Sequence, residues 1–409
     1  MNRQPAADFL KLAPASLGVR TNSNLVDGTS SSSNRATSAV PPTGSSTFAR
    51  AVLKKTGKIL PLLVILTGVL GLPAHAASQY IFATFKGDSA ALEKLWIYTS
   101  TNGLNFTQFT DTGGYAGPTG VLRDPSIMKH TDGKYYIAHT VQSWITSSTN
   151  FAIASSPDLV HWTNVTTVNA GVSGTYFTWA PEWFVDDDGT VNIIVSLGPQ
   201  GSSFRPYIFT AQNSDLTSWS GPVDMGIGVN HIDTFVVKAG DTYHVFAKNE
   251  TTKYIEHATS SSLTNGWTWM GTGNWAGWGS GIEGPALVQM DNGQWRIYVD
   301  AYSTGGGIKT ATSADLNSSW SGLNSCLTGV KHGTVIKETA VSPLINVSAS
   351  GSNLTLSWPL PSLGFTLGWS TNLVPSAWTA VSPAPQMVGS QWQATVSVSE
   401  SARYYRLQK

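Results

Sequence analysis

Four carboxylates and one imidazole open a set of similar short runs in this sequence. Arg123-Asp124-Pro125, Trp179-Ala180-Pro181-Glu182, Ile232-Asp233, Glu283-Gly284-Pro285 and His332-Gly333 stand at or near the starts of RDPSIMK, WAPEWFV, HIDTFVVK, EGPALVQM and KHGTVIK. Taken singly, each acidic residue reads as a solvated surface group. An acidic residue at the start of four runs out of five is a different matter. Like charges gathered at one place raise one another's pKa and contribute nothing to a core. Such a set belongs to acid–base chemistry or to metal binding.

The elements that would position these residues are read from internal repetition. STNGLNF, SSPDLVHW, QNSDLTSW, SSSLTNGW and TSADLNSSW close on Phe106, Trp162, Trp219, Trp267 and Trp320, which are 56, 57, 48 and 53 residues apart. Each is preceded by a short alternating strand. Further strand-like runs lie upstream: YIFATF, KYYIAHT, TVNIIVS, TYHVFAK and QWRIYVD, four of them just after Gly133, Gly189, Gly240 or Gly293. A period of about 54 residues with four strands is the size of one propeller blade, so the expected fold is all-β, a five-bladed β-propeller over 79–340. A solenoid would need capping repeats, and none is visible. The first repeat lacks an inner strand and the last inner strand lacks a repeat. The chain is therefore expected to close by joining Lys331–Lys337 to the strands that begin at Tyr80. In a propeller the starts of the inner strands open on one face, which brings distant motifs together.

Outside the repeats the pattern changes. From 344 to 409 the alternating runs carry none of the blade motifs and read as a small β-sandwich of immunoglobulin or fibronectin type. Its Trp369, Trp378 and Trp392 read as core more readily than as a sugar-binding surface. Residues 1–76 read as a disordered lead-in followed by an export signal: Lys54-Lys55-Thr56-Gly57-Lys58, an apolar core at 59–72, and cleavage after Ala76. The apolar run is short for a membrane anchor and no basic stop follows it, so a secreted or periplasmic protein with no stable membrane insertion is expected. Those 76 residues hold eight basic and two acidic side chains, leaving 16 basic against 22 acidic in the rest. An acidic chain without a basic block argues against nucleic-acid binding. Cys326 is the one cysteine, which excludes an internal disulfide.

The five motifs in this order, spaced by one blade each, resemble those of glycoside hydrolase family 43, five-bladed inverting enzymes that trim arabinan, xylan and galactan. The resemblance implies a general base at Asp124, a general acid at Glu283, and Asp233 as the residue that tunes and orients the acid. Many relatives have Ala-Pro-Asp where this chain has Ala-Pro-Glu, which places Glu182 in the sugar-binding shell. An inverting mechanism needs a water between base and sugar, with the carboxyls about 6.5–9.5 Å apart. His332 is expected near the channel axis. There it either helps hold a structural calcium or other hydrated ion, or bonds to a pocket carboxylate; no cofactor is required for the chemistry itself.

Aromatic rings stack on the apolar faces of sugars, and Trp179, Trp275 and Trp278 are the expected platforms, with Arg123 and Arg296 recognising hydroxyls. Phe177 lies beside the same loops, and Trp183 and Phe235 read as core. The expected protein is a monomeric glycosidase acting on arabinose, xylose or galactose linkages of plant- or algal-type polysaccharides and oligosaccharides. A non-catalytic carbohydrate-binding propeller is the alternative, and a propeller scaffold for protein partners a third class.

Overall fold

The repeated Ser-x-Asp-Leu element is a turn that closes on itself. Asp158 Oδ1 accepts from the N–H groups of Val160 and His161 at 3.0 and 2.8 Å, and Asp315 Oδ1 accepts from those of Asn317 and Ser318 at 2.8 and 2.7 Å. Asn102 and Asn213 do the same in their own repeats. The closing Trp162 and Trp219 donate from Nε1 to the carbonyls of Leu159 and Leu216, at 3.1 and 2.9 Å. A short polar side chain bonding its own backbone competes with strand formation, so each element ends one strand and starts the next.

The computed structural model describes residues 78–109, 114–200, 203–339, 343–372, 378–397 and 403–408, with the backbone alone of 48–52 and 63–67. All belong to one unit, Gly44–Lys409. The architecture is all-β, built of four-stranded antiparallel sheets in a propeller-like arrangement. The first sheet runs Arg123–Lys129, Tyr135–Thr140, Asn150–Ser156, Thr163–Asn169. The second is Phe177–Val185, Val191–Gly198, Arg205–Ala211, Trp219–Asp224. The third is His231–Ala239, Thr242–Asn249, Ile255–Ser260, Thr268–Gly271. The fourth is Glu283–Gln289, Trp295–Asp300, Ile308–Ser313, Asn324–Leu327.

The fifth sheet is composite. Gly333–Thr339 pairs antiparallel with Ser78–Thr84, Val335 opposite Phe82, and Trp96–Ser100 and Thr107–Gln108 complete it. Each inner strand lies against the next, and Gly333–Thr339 lies against Arg123–Lys129. That last contact is cross-linked, because Thr334 Oγ1 accepts from the Ile127 N–H at 2.8 Å. Between neighbouring sheets lie separate apolar clusters, one of which joins Met128, Phe151, Trp183, Ile193 and Phe209.

Two further sheets, one containing Asn346–Ser350, Asn353–Pro359, Gln386–Val388 and Gln391–Ser397, the other Thr366–Ser370, Thr379–Ala380 and Arg403–Gln408, share a core around Trp358. Trp369 and Trp392 are packed against that core. This region also inserts Leu363, 6% exposed, among Leu95, Ile97, Leu122 and Leu159 of the repeated sheets. Burying one leucine is worth about 1.5–3 kcal/mol, so the C-terminal region is fastened to the repeats.

Strands Phe48–Val52 and Leu63–Thr67 extend the second of these sheets through Arg403–Gln408. The first lies within the expected lead-in, and the second within the apolar run of the expected export signal. A run of Leu-Val-Ile-Leu suits a strand as well as a signal core. The rest of 1–76 lies outside the described residues. Among the described residues no helix is long and apolar enough to cross a membrane.

The closing pair has a sharp steric requirement. A Cβ at Gly333 would stand 2.0 Å from the Ala83 carbonyl oxygen, whereas one at Gly322 would meet nothing within 4 Å. Gly333→Ala is expected to cost about 1–3 kcal/mol or more, while Gly322→Ala should cost nothing and stabilise by up to about 1 kcal/mol. Thermal melts of the two variants check this, and equal melting temperatures would refute the close approach.

Candidate active site

Each of the first four inner strands starts with the same irregularity. The pairing register skips between Arg123 and Ser126, Trp179 and Glu182, Ile232 and Phe235, and Glu283 and Ala286. At each bulge one residue has positive φ: Asp124 (47°), Ala180 (47°), Asp233 (53°) and Gly284 (58°). Bulges of this kind re-aim side chains, and left-handed non-glycine residues mark strain held by the surroundings.

This register corrects the sequence reading that one position is acidic in four repeats. Asp124 and Asp233 are equivalent, whereas Glu283 stands one residue before the equivalent Gly284 and Glu182 two residues after Ala180.

Opposite each bulge, on the second strand, stand Thr140, Ser196, Lys248 and Asp300. Three of them latch the next sheet by accepting a backbone N–H. Thr140 Oγ1 takes that of Ala180 at 2.9 Å, Ser196 Oγ that of Asp233 at 3.2 Å, and Asp300 Oδ2 that of His332 at 3.0 Å. Lys248 has no lone pair to offer. In its place Asp233 Oδ2 accepts the N–H of Gly284, at 3.1 Å.

The strand starts converge on a cavity of about 450 Å³ lined by Arg123, Asp124, Trp179, Asp233, Glu283 and His332 among others. His332 is its hub and is buried. Nδ1 lies 3.6 Å from Asp124 Oδ1 and 3.9 Å from Asp233 Oδ2, and Nε2 lies 3.5 Å from Glu182 Oε1. Burial would lower its pKa, yet Asp233, Glu182 and Asp124 together push it up to about 10, so the ring is an imidazolium at neutral pH. Burial raises Asp233 to about 7, with Glu283 adding to the rise and His332 opposing it. Asp300, wholly buried, is also raised to about 7 by burial and by Glu283. Burial raises Glu182 too, against the pull of His332 3.5 Å away.

Two carboxyls of the cavity lining, Asp124 and Glu283, have different partners. Asp124 Oδ2 accepts from Thr140 Oγ1 at 2.9 Å. Glu283 Oε2 accepts from Lys248 Nζ at 2.7 Å. Both remain partly exposed to the cavity, 14% and 27% by side chain. Each can therefore reach a ligand while held by the protein.

Gly284 makes room for the hub, since a Cβ there would stand 2.3 Å from His332 Cδ2. Among the described residues no group of three or more His, Cys, Asp or Glu side chains is arranged to hold a metal ion.

Other expected site residues are sorted by the geometry. Trp179 lines the cavity, stacked on Phe204 at 4.7 Å and against Phe177 at 4.8 Å. Arg123 lines it as well, paired with Asp88 and Glu93. Glu182 lies behind His332, 1% exposed, and does not line the cavity.

Trp275 and Trp278 are not rim platforms. They donate to the carbonyls of Ile255 and Ser321 and pack with Phe246 and Trp320, because the glycines around them let the loop fold inward onto the sheet. Arg296 is also elsewhere. It pairs with Val288, at the far end of the strand from Glu283, and donates to Asn102 O at 2.9 Å. Trp183 and Phe235 are core, as expected. Lys248, Asp300, Tyr302 and the exposed rim residue Trp144 were not singled out by the sequence reading.

Residues 75–342 match the family model described as a probable glycosyl hydrolase domain. An alpha-L-arabinofuranosidase of Bifidobacterium longum subsp. longum is 27% identical over 212 residues, 42% of this chain and 19% of its own length. Alpha-L-arabinofuranosidase 43 of Humicola insolens is 30% identical over 206 residues, 44% of this chain and 41% of its own. The chain thus spans less than half the length of these curated relatives. An endo-1,4-beta-xylanase structure from Bacteroides thetaiotaomicron aligns with a TM-score of 0.44 and 14% identity, over 63% of this chain and 93% of that one.

The hub makes stability depend on pH. A histidine raised from about 6.5 to about 10 contributes its full stabilisation below the lower value and loses it as pH rises through the upper one. The melting temperature is expected to fall between about pH 6.5 and 10 more steeply for the parent than for His332→Gln. Parallel curves would show that the ring is not charged in the folded state.

Proposed function

The chain belongs to the family-43-related glycosyl hydrolases, and on that premise we propose that it is an inverting glycosidase acting on plant- or algal-type polysaccharides. The observation that carries this reading is the pair Asp124 and Glu283, set on different sheets and facing one cavity. Three curated relatives are named arabinofuranosidases, which favours arabinofuranosyl linkages over xylosyl or galactosyl ones. The supporting architecture is a five-bladed propeller over 79–340 carrying a C-terminal β-sandwich over 344–409. Ser78, where the fifth sheet begins, lies just beyond the expected cleavage site, which supports a secreted or periplasmic protein. We read the enzyme as a monomer with a soluble or polysaccharide substrate and no nucleic-acid partner.

In this mechanism Glu283 donates its proton to the glycosidic oxygen as the bond to the anomeric carbon breaks. Asp124 takes a proton from the water that attacks the opposite face. Thr140 occupies one oxygen of Asp124 and leaves the other for that water. Asp233, by accepting the Gly284 N–H, fixes the backbone beside Glu283. Trp179 offers a face for the sugar ring and Arg123 a donor for its hydroxyls.

Glu283→Gln should reduce hydrolysis of glycosides with poor leaving groups by about 10²–10⁴-fold and affect good leaving groups far less. An equal, slight loss on both would overturn the acid role. Proton NMR of the first-formed sugar should show inversion at the anomeric carbon, and retention would exclude water attack directed by Asp124. Binding of arabinan fragments with no sugar released would favour the non-catalytic reading.

A further inference from the structure

Lys248 breaks the pattern of the repeat it sits in. At the place opposite the bulge, Thr140, Ser196 and Asp300 each accept a backbone N–H from the next sheet. A lysine cannot do so, and the third sheet passes that task to Asp233. What the substitution provides is an ammonium aimed into the cavity. Its Nζ lies 2.7 Å from Glu283 Oε2 and 3.0 Å from Glu250 Oε2, and 4.9 Å from the centre of the Tyr302 ring. The side chain is only 6% exposed. A buried ammonium between two carboxylates is tied to both, and Glu250 is itself tied to Lys253 at the surface.

We propose that Lys248 is the positioning residue of the general acid, an ammonium shared between Glu283 and Glu250 that strengthens proton donation. The inference rests on the reading of Glu283 as the acid. When Glu283 protonates the glycosidic oxygen it becomes a carboxylate, and Lys248 stabilises that charge as it forms. Lys248 keeps its own proton throughout. Solvent later returns a proton to Glu283, and during that half of the cycle Glu250 retains the ammonium.

The remaining charged groups near Glu283 act in both directions. Asp233 on the neighbouring inner strand and Asp300 across the sheet add negative charge. His332 and Lys331, which enter the fifth sheet, add positive charge, and Tyr302 is neutral with its pKa raised by burial. None of them is shown hydrogen-bonded to the Glu283 carboxyl, which Lys248 is.

Profiles of kcat/KM against pH on an aryl arabinofuranoside test this. Lys248→Met removes the charge but keeps most of the stem. It should move the alkaline limb, where a protonated acid is lost, upward by about 1–3 pH units and lower kcat most for poor leaving groups. Lys248→Arg should leave that limb in place. Glu250→Gln frees the ammonium for Glu283 and should move the same limb downward, and it serves equally if Lys248→Met fails to fold. Uniform loss of kcat with both limbs unmoved in Lys248→Met and Glu250→Gln would overturn the inference and leave the acid assignment intact. Movement of the acidic limb alone would show that Glu283 works ionised, which overturns the acid assignment and the inference with it.

Discussion

A charged imidazole among three carboxylates is the interaction on which the rest of this molecule depends. Asp124 belongs to the first sheet, Glu182 to the second and Asp233 to the third, while His332 leads into the fifth and its backbone is held by Asp300 of the fourth. All five repeated sheets therefore meet at one residue. Burying a carboxyl group in its ionised form costs several kcal/mol without a cation nearby, and His332 is the cation that Asp124, Glu182 and Asp233 share. The hub is thus both what holds the strand starts together and what keeps the cavity polar.

The same arrangement explains why small residues are placed where they are. Gly284 has no side chain because His332 fills that space, and Gly333 has none because the Ala83 carbonyl does. Both flank the same closure. Backbone approach, hub position and the pairing of Gly333–Thr339 with Ser78–Thr84 are therefore one steric problem, and the two glycines of Glu283-Gly284 and His332-Gly333 are its common solution.

Much of this was legible in the sequence, for a physical reason. Repeats of one supersecondary unit force equivalent residues into equivalent places, so the motif starts could be expected to converge before any coordinates. What the repeat cannot show is register at the one-residue level. A bulge at each of the first four inner strands shifted Glu283 and Glu182 away from the position shared by Asp124 and Asp233, and nothing in the pattern marks a bulge. Trp275 and Trp278 were misplaced because a glycine-rich loop lets its rings turn toward solvent or core with equal ease. Leu363, which fastens the C-terminal region, sits in a turn without periodicity and gives no signal.

The second strands held information that was not read. KYYIAHT, TVNIIVS, TYHVFAK and QWRIYVD each end, after an apolar stretch, in a polar residue: Thr140, Ser196, Lys248 and Asp300. A polar side chain that recurs at the inner end of a buried strand must have a partner, and in three cases the partner is the backbone of the next sheet. The charge of the fourth, Lys248, is what separates the two carboxyls that face the cavity. Asp124 is held by a neutral hydroxyl beside the imidazolium, and Glu283 by an ammonium beside Asp233 and Asp300. A site that must keep one carboxyl able to take a proton and another able to give one needs such unlike surroundings. The repeat supplies the frame for both, and the single departure from it supplies the difference between them.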